Sequence, residues 1–131
     1  MPPITFHDVR ALGLKLPGAE ASTAYGSPAL TVNGQMFACI PVNKSAEPDT
    51  LAVRVPFDQR DDLLTEAPDV YYLTDHYVDY PIVLVRLSRV RRDALGGLLQ
   101  MAHRFVAAEK RQLRSARRRT SARRPRPSRK A

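Results

Sequence analysis

Hydrophobic and polar positions along this chain follow two rhythms, and the changes between them outline the fold. Phe6, Val9, Leu12 and Leu14 recur at near-helical spacing behind Thr5, with Asp8 in the place of a capping-box acid, which predicts a helix over residues 6–15. Pro17-Gly18 ends it. Residues 20–25 read as a short strand or extended link, closed by Gly26-Ser27-Pro28. Residues 29–32 and 35–42 are strand-like and flank Asn33-Gly34, the dipeptide best suited to the two positive φ angles of a type I′ hairpin turn. Residues 50–55 alternate, with Leu51, Val53 and Val55 on one face and Ala52 and Arg54 on the other. Asp58 caps an expected short helix through Ala67, whose buried contact comes from Leu63 and Leu64, and Pro68 forbids its continuation.

Val70 to Leu73 form a further candidate strand, followed by a loop over residues 74–80. Ile82 to Leu87 are short, rich in β-branched residues and preceded by Pro81, which favours strand over helix. From Arg92 the rhythm changes again: Leu95, Leu98, Leu99, Ala102, Phe105 and Val106 make an apolar stripe at steps of three and four, the mark of a long amphipathic helix. After Val106 the stripe fades, and from Ser115 onward no apolar face is left to offset the entropy of ordering, so residues 115–131 are expected to be disordered in isolation. The order of elements implies an α+β domain, an antiparallel sheet with helices packed on one face. On that arrangement Arg54 and Arg86 would share the opposite, uncovered face. There they are candidate polyanion contacts, or else are paired with Asp75, Asp79 or another carboxylate at small energetic value.

Composition changes this picture in one place. The chain has 131 residues, 21 basic and 13 acidic, with a formal net charge of +8. Eleven of the basic residues lie in residues 110–131, which hold no acid, so residues 1–109 are slightly acidic and the basicity belongs to an appendage. The expected organisation is therefore a domain over residues 1–109 and an Arg-rich tail over residues 110–131. A single cysteine excludes an internal disulfide framework, no apolar run has membrane-spanning length, and the N-terminus lacks the features of a secretory signal. The expected setting is the cytoplasm, without a membrane partner and with a monomer favoured.

Several ordered features carry a family resemblance: Pro17-Gly18 after the first helix, Tyr25-Gly26-Ser27-Pro28, Asn33-Gly34 leading into Phe37-Ala38, and Tyr80-Pro81 before the hydrophobic strand. Over residues 6–108 the chain resembles the MmcQ/YjbR family of bacterial-type proteins. The resemblance implies a compact domain grouped with secretion-chaperone-like folds and described as DNA-binding through a double-wing arrangement of strands and loops. The sequence departs from the family's pattern at Gln35, where a lysine commonly follows the hairpin glycine, at Ile82, where tryptophan is common, and at His103-Arg104. Loss of the hairpin lysine removes one candidate phosphate contact from the domain.

Candidate chemistry is sparse. The glycines lie in turns or, as Gly96-Gly97, in a helix, without the context of a phosphate-binding loop. His7, His76 and His103 are scattered, and Cys39 has no cysteine partner at finger spacing, so no metal or other cofactor is expected. Cys39, His76 and Asp75 could together make a nucleophilic site, against the ordinary reading of a strand cysteine as a small buried hydrophobe. Tyr71, Tyr72, Tyr77 and Tyr80 read as a lid on the core edge, with base stacking as the functional alternative. No catalytic residue is assigned and no enzyme activity is expected.

The tail carries the functional signal, since a run of cations without acids attracts polyanions by counterion release. The candidate nucleic-acid contacts are Arg111, Arg114, Arg117, Arg118 and Arg119, then Arg123, Arg124, Arg126, Arg129 and Lys130, joined by Arg54 and Arg86 of the domain. The expected function is DNA binding, with RNA as a further polyanion of the same kind. Affinity would come from the tail and shape reading from the α+β scaffold. The alternative is a protein-interaction module whose basic tail is non-specific.

Overall fold

A computed structural model describes residues 4–24 and 26–122 and, beyond Glu109, the helical backbone alone. Helix α1 (Phe6–Gly13) starts where the capping pattern predicts: the Thr5 backbone N–H donates to the Asp8 carboxylate at 3.0 Å. That bond is the main reason the Asp8 carboxyl is held below its ordinary range, with Arg92 adding to it. The helix stops two residues before Lys15, because the chain turns through Leu14 and Leu16 towards Gly18, whose φ of 70° suits glycine.

Strands β1 (Ala19–Ala24), β2 (Ser27–Val32) and β3 (Gln35–Cys39) form a meander. Its second turn carries Asn33 at φ 54° and Gly34 at φ 78°, as the dipeptide predicts. A bulge falls between β2 and β3: Leu30 opposes Ala38 while Thr31 opposes Met36. Phe37 is the extra residue, and with Ala38 it joins the core beneath the helices while Cys39 belongs to the other face.

Strand β4 (Thr50–Arg54) leads into α2 (Phe57–Glu66), then the two-residue β5 (Tyr71–Tyr72), β6 (Ile82–Arg86) and the long helix α3 (Arg92–Ala122). The six strands lie in the order β1-β2-β3-β4-β6-β5, with every neighbouring pair antiparallel. All three helices contribute to one face. There Val9 of α1 and Leu95, Leu98, Leu99, Ala102 and Val106 of α3 pack on Leu30, Phe37, Leu51, Val53, Val83 and Val85, with Leu63 and Leu64 of α2 at the margin. The α+β architecture is thus the one the patterning implies.

Two expectations need correction. The face away from the helices is not bare: Ala29, Cys39, Ala52, Leu84 and Tyr77 make a second, smaller core there, roofed by the segment after β5. Alternation placed Ala52 on that face but gave no sign of what covers it. The backbone of α3 is also helical through Ala122, past the Ser115 at which disorder was expected. A helix already nucleated and packed upstream needs only favourable propagation to continue, and Ala, Arg, Gln and Leu are good helix formers. Arg123, Arg124, Arg126, Arg129 and Lys130 lie outside the described residues. Among the described residues no helix is long and apolar enough to cross a membrane.

Candidate functional site

The roof of the second core is the Tyr/Asp/His segment between β5 and β6, and α2 holds it in place. Arg60, only 7% exposed, donates from Nη1 to the carbonyls of Val78 at 3.0 Å and Tyr80 at 2.8 Å. Its guanidinium lies 4.8 Å from the centroid of the Phe57 ring. Its Nε is 3.7 Å from Asp61 Oδ1, beyond hydrogen-bonding reach, and this buried donor finds no partner among the described residues. Sequence reasoning missed Arg60 and credited Leu63 and Leu64 with the buried face of α2. The signal was present, because Phe57, Arg60, Leu63 and Leu64 share one helical face by spacing.

Under this roof lies a cavity of about 610 Å³. Its floor is formed by small and medium side chains of the strands, Cys39 and Ala52 with Met36 and Ile82, and the shortness of the first two leaves the space. His76, Tyr77 and Tyr80 supply an aromatic wall, with the His76 ring edge-on to Tyr77 at 4.7 Å and tilted to Tyr80 at 6.5 Å. Lys44, an exposed side chain, also lines the cavity. The four expected lid tyrosines therefore separate: Tyr71 and Tyr77 are buried on opposite sides of the sheet, Tyr72 is half-buried, and Tyr80 is 53% exposed.

The structure brings Cys39 and His76 to one cavity, whereas Asp75 does not line it. Burial pushes the Cys39 thiol up to about 11, so at neutral pH roughly one molecule in ten thousand carries the thiolate that a nucleophile needs. The arrangement is that of a small buried hydrophobe. Among the described residues no three His, Cys, Asp or Glu side chains converge to hold a metal ion.

Neither domain arginine is presented as a free cation. Arg86 grips Glu47 with two parallel bonds, Nε to Oε1 at 3.0 Å and Nη2 to Oε2 at 2.9 Å, and its Nη1 donates to the Pro68 and Asp69 carbonyls at 3.2 and 3.1 Å. Four of the five guanidinium N–H groups are thus satisfied within the domain, and the cation also sits 4.3 Å from the Tyr72 ring centroid. The Tyr72 hydroxyl accepts from the Glu47 backbone N–H at 2.7 Å and lies 2.6 Å from Thr50 Oγ1. The pair shifts each partner further towards charge: hydrogen bonding to Arg86 lowers the Glu47 carboxyl, and hydrogen bonding to Glu47 raises Arg86. Arg86 is a clamp joining the β3–β4 loop to β5 and β6.

Arg54 turns instead to α3. Its Nη2 bonds Glu109 Oε1 at 2.8 Å and its guanidinium lies 5.8 Å from the Phe105 ring centroid. By alternation with Ala52 and Leu84 the two arginines do belong to the sheet face away from the helices, but at its opposite ends and each in an ion pair, and their partners are Glu47 and Glu109 rather than Asp75 or Asp79. His103, one of the departures from the family pattern, has its Nε2 2.6 Å from the Pro17 carbonyl and its ring edge-on to Phe37, tying α3 to the turn after α1.

Arg111, Arg114, Arg117, Arg118 and Arg119 stand on the helical backbone of α3 beyond Glu109. At about 100° per residue, positions 110, 111, 114, 117 and 118 fall within an arc of about 120°, centred roughly a third of a turn from the buried stripe.

The model of the YjbR family matches residues 14–105. No curated protein matches the chain. Among solved structures, the crystal structure of Deinococcus radiodurans protein DR2400, with the family-model domain DUF419, aligns with a TM-score of 0.63 at 21% sequence identity, covering 78% of this chain and 78% of that one. At that identity the likeness is one of fold.

Proposed function

We propose that this chain, which belongs to the YjbR family, is a non-enzymatic nucleic-acid-associated protein of the cytoplasm, whose folded domain launches a basic helix onto DNA. The observation that carries this reading is the segregation of charge. Residues 110–131 hold eleven cations and no acid, and the first of them stand on the continuous backbone of α3. A basic arc of this kind follows a phosphate backbone and releases counterions in proportion to the phosphates neutralised. The domain's contribution is placement rather than charge, because Arg54 and Arg86 are each paired with a carboxylate of the domain.

The test is a salt titration of duplex binding by the full chain and by a variant with Arg114, Arg117 and Arg118 changed to Gln. The logarithm of the binding constant should fall with the logarithm of salt concentration with a slope of about −0.9 per contacted phosphate, and the triple variant should lose about two to three units of slope. Absence of duplex binding at about 50 mM salt, or an unchanged slope in the variant, overturns the proposal.

A further inference from the structure

We infer that the cavity beneath the tyrosine roof receives an unstacked nucleobase, with the attached phosphate held at Lys44. The inference rests on the nucleic-acid reading above for the source of its ligand and deepens it from duplex charge to single-strand recognition. Three features of the cavity select this chemistry. At about 610 Å³ it falls within the range of small-molecule sites, about 300–1,000 Å³, and its floor is apolar. Its wall presents the exposed rings of His76 and Tyr80, flat surfaces on which a base of any sequence can stack. Among the described residues its lining contains no carboxylate, and the one permanent charge there is Lys44, an exposed cation that makes no ion pair with them.

Competing ligand classes fit less well. A cation would meet Lys44 with no counter-charge in the lining, and a purely apolar chain would leave Lys44 unused. A base with its phosphate uses the floor, the wall and Lys44 together.

Position in the fold points the same way. Ile82, on the cavity floor, is in register with Arg54, and Arg54 bonds Glu109, the residue from which the basic stretch of α3 departs. One end of the cavity floor and the root of the basic stretch thus lie near the same end of β4, on the two sides of the sheet.

The test uses the full chain with three probes: a labelled single-stranded oligothymidylate, a duplex of the same length, and thymidine 5′-monophosphate. Tyr80→Ala and Lys44→Gln alter exposed side chains and leave the core intact. Tyr80→Ala should weaken single-strand binding on the order of tenfold while duplex affinity stays constant, and Tyr80→Phe should restore it because the ring is kept. Lys44→Gln should weaken the single strand a few-fold. The chain has no tryptophan, so tyrosine fluorescence, together with the His76 ring resonances, reports cavity occupancy by the mononucleotide directly.

Mononucleotide binding that moves the His76 resonances without any oligonucleotide binding would keep the cavity's ligand and identify its source as a free nucleotide; the nucleic-acid reading would then fail alone. Full single-strand affinity in both Tyr80→Ala and Lys44→Gln would overturn the cavity inference while leaving the duplex salt titration untouched. Failure of all three probes would overturn both.

Discussion

Replacing Arg60 tests the roof and its support at once. Two hydrogen bonds from a charged donor, at 3.0 and 2.8 Å, are lost in Arg60→Met, each worth about 1.5–3 kcal/mol. The lower end applies, because Val78 and Tyr80 are exposed and their carbonyls can turn to water. Loss of the contact with Phe57, itself 47% exposed, adds about 0.5 kcal/mol. Against this, methionine removes the buried Nε that lacks a hydrogen-bond partner, a relief of about 1 kcal/mol, and keeps most of the packing volume. The net expectation is a destabilisation of about 2–3 kcal/mol, read in urea as a fall in midpoint of about 1–2 M with the slope unchanged. Arg60→Ala should cost more, because it also removes packing.

A local signature accompanies the global one. The Tyr77 and Tyr80 amides, which bond the Thr74 and Tyr77 carbonyls, should lose hydrogen-exchange protection before the amides of β4 and β6 do. An Arg60→Met protein within 0.5 kcal/mol of the parent, with those amides still protected, would refute the view that α2 holds the roof through this residue.

Three other substitutions probe separate links. The Glu47 carboxyl is depressed below its ordinary 4.5 chiefly by hydrogen bonding to Arg86, so its contribution is present above that value and is lost as pH falls through the folded pKa; Glu47→Gln should be less stable at neutral pH and show a shallower loss of stability below about pH 4.5 in acid titrations followed by circular dichroism. A Cβ at Gly13 would stand 2.4 Å from Cδ1 of the fully buried Leu30, so Gly13→Ala should cost about 1–2 kcal/mol despite its better helix propensity, and Leu30→Val should recover part of that loss in a double-mutant cycle. Cys39, with its thiol pushed up to about 11 from 9.0, should alkylate about a hundredfold more slowly at neutral pH than a free cysteine, and should reach the ordinary rate in urea.

Local rules made some elements readable and left others hidden. The Asn33-Gly34 turn and the start of α1 depend on residues next to one another, and both lie where the sequence puts them. The apolar face of β4 followed from a period of two, and the stripe of α3 from steps of three and four. The partners of Arg54 and Arg86 could not be read this way, since Glu109 and Glu47 are 55 and 39 residues distant and no periodicity links them. Arg60 was hidden for a different reason: its position is that of a core residue and its chemistry that of a surface one, and only the carbonyls arriving from the next loop reconcile the two. The cavity likewise depends on a roof that crosses from β5 to β6, so the small side chains of Ala52 and Cys39 gave no hint of a hollow until that crossing was known.

The Arg54–Glu109 bond has a mechanical meaning. Beyond it α3 runs on for another 13 residues to Ala122, an arm of about 20 Å at 1.5 Å per residue. Any polyanion that draws on this arm applies torque at its root, where a bond between a 19%-exposed and a 39%-exposed side chain offers a restraint of about 1 kcal/mol or less. The buried stripe from Leu95 to Val106 would hold while that bond yields, so the fulcrum lies at the last turn packed on the sheet. Load on the arm would then be felt first at Arg54 in β4, one strand position away from the sheet's central core.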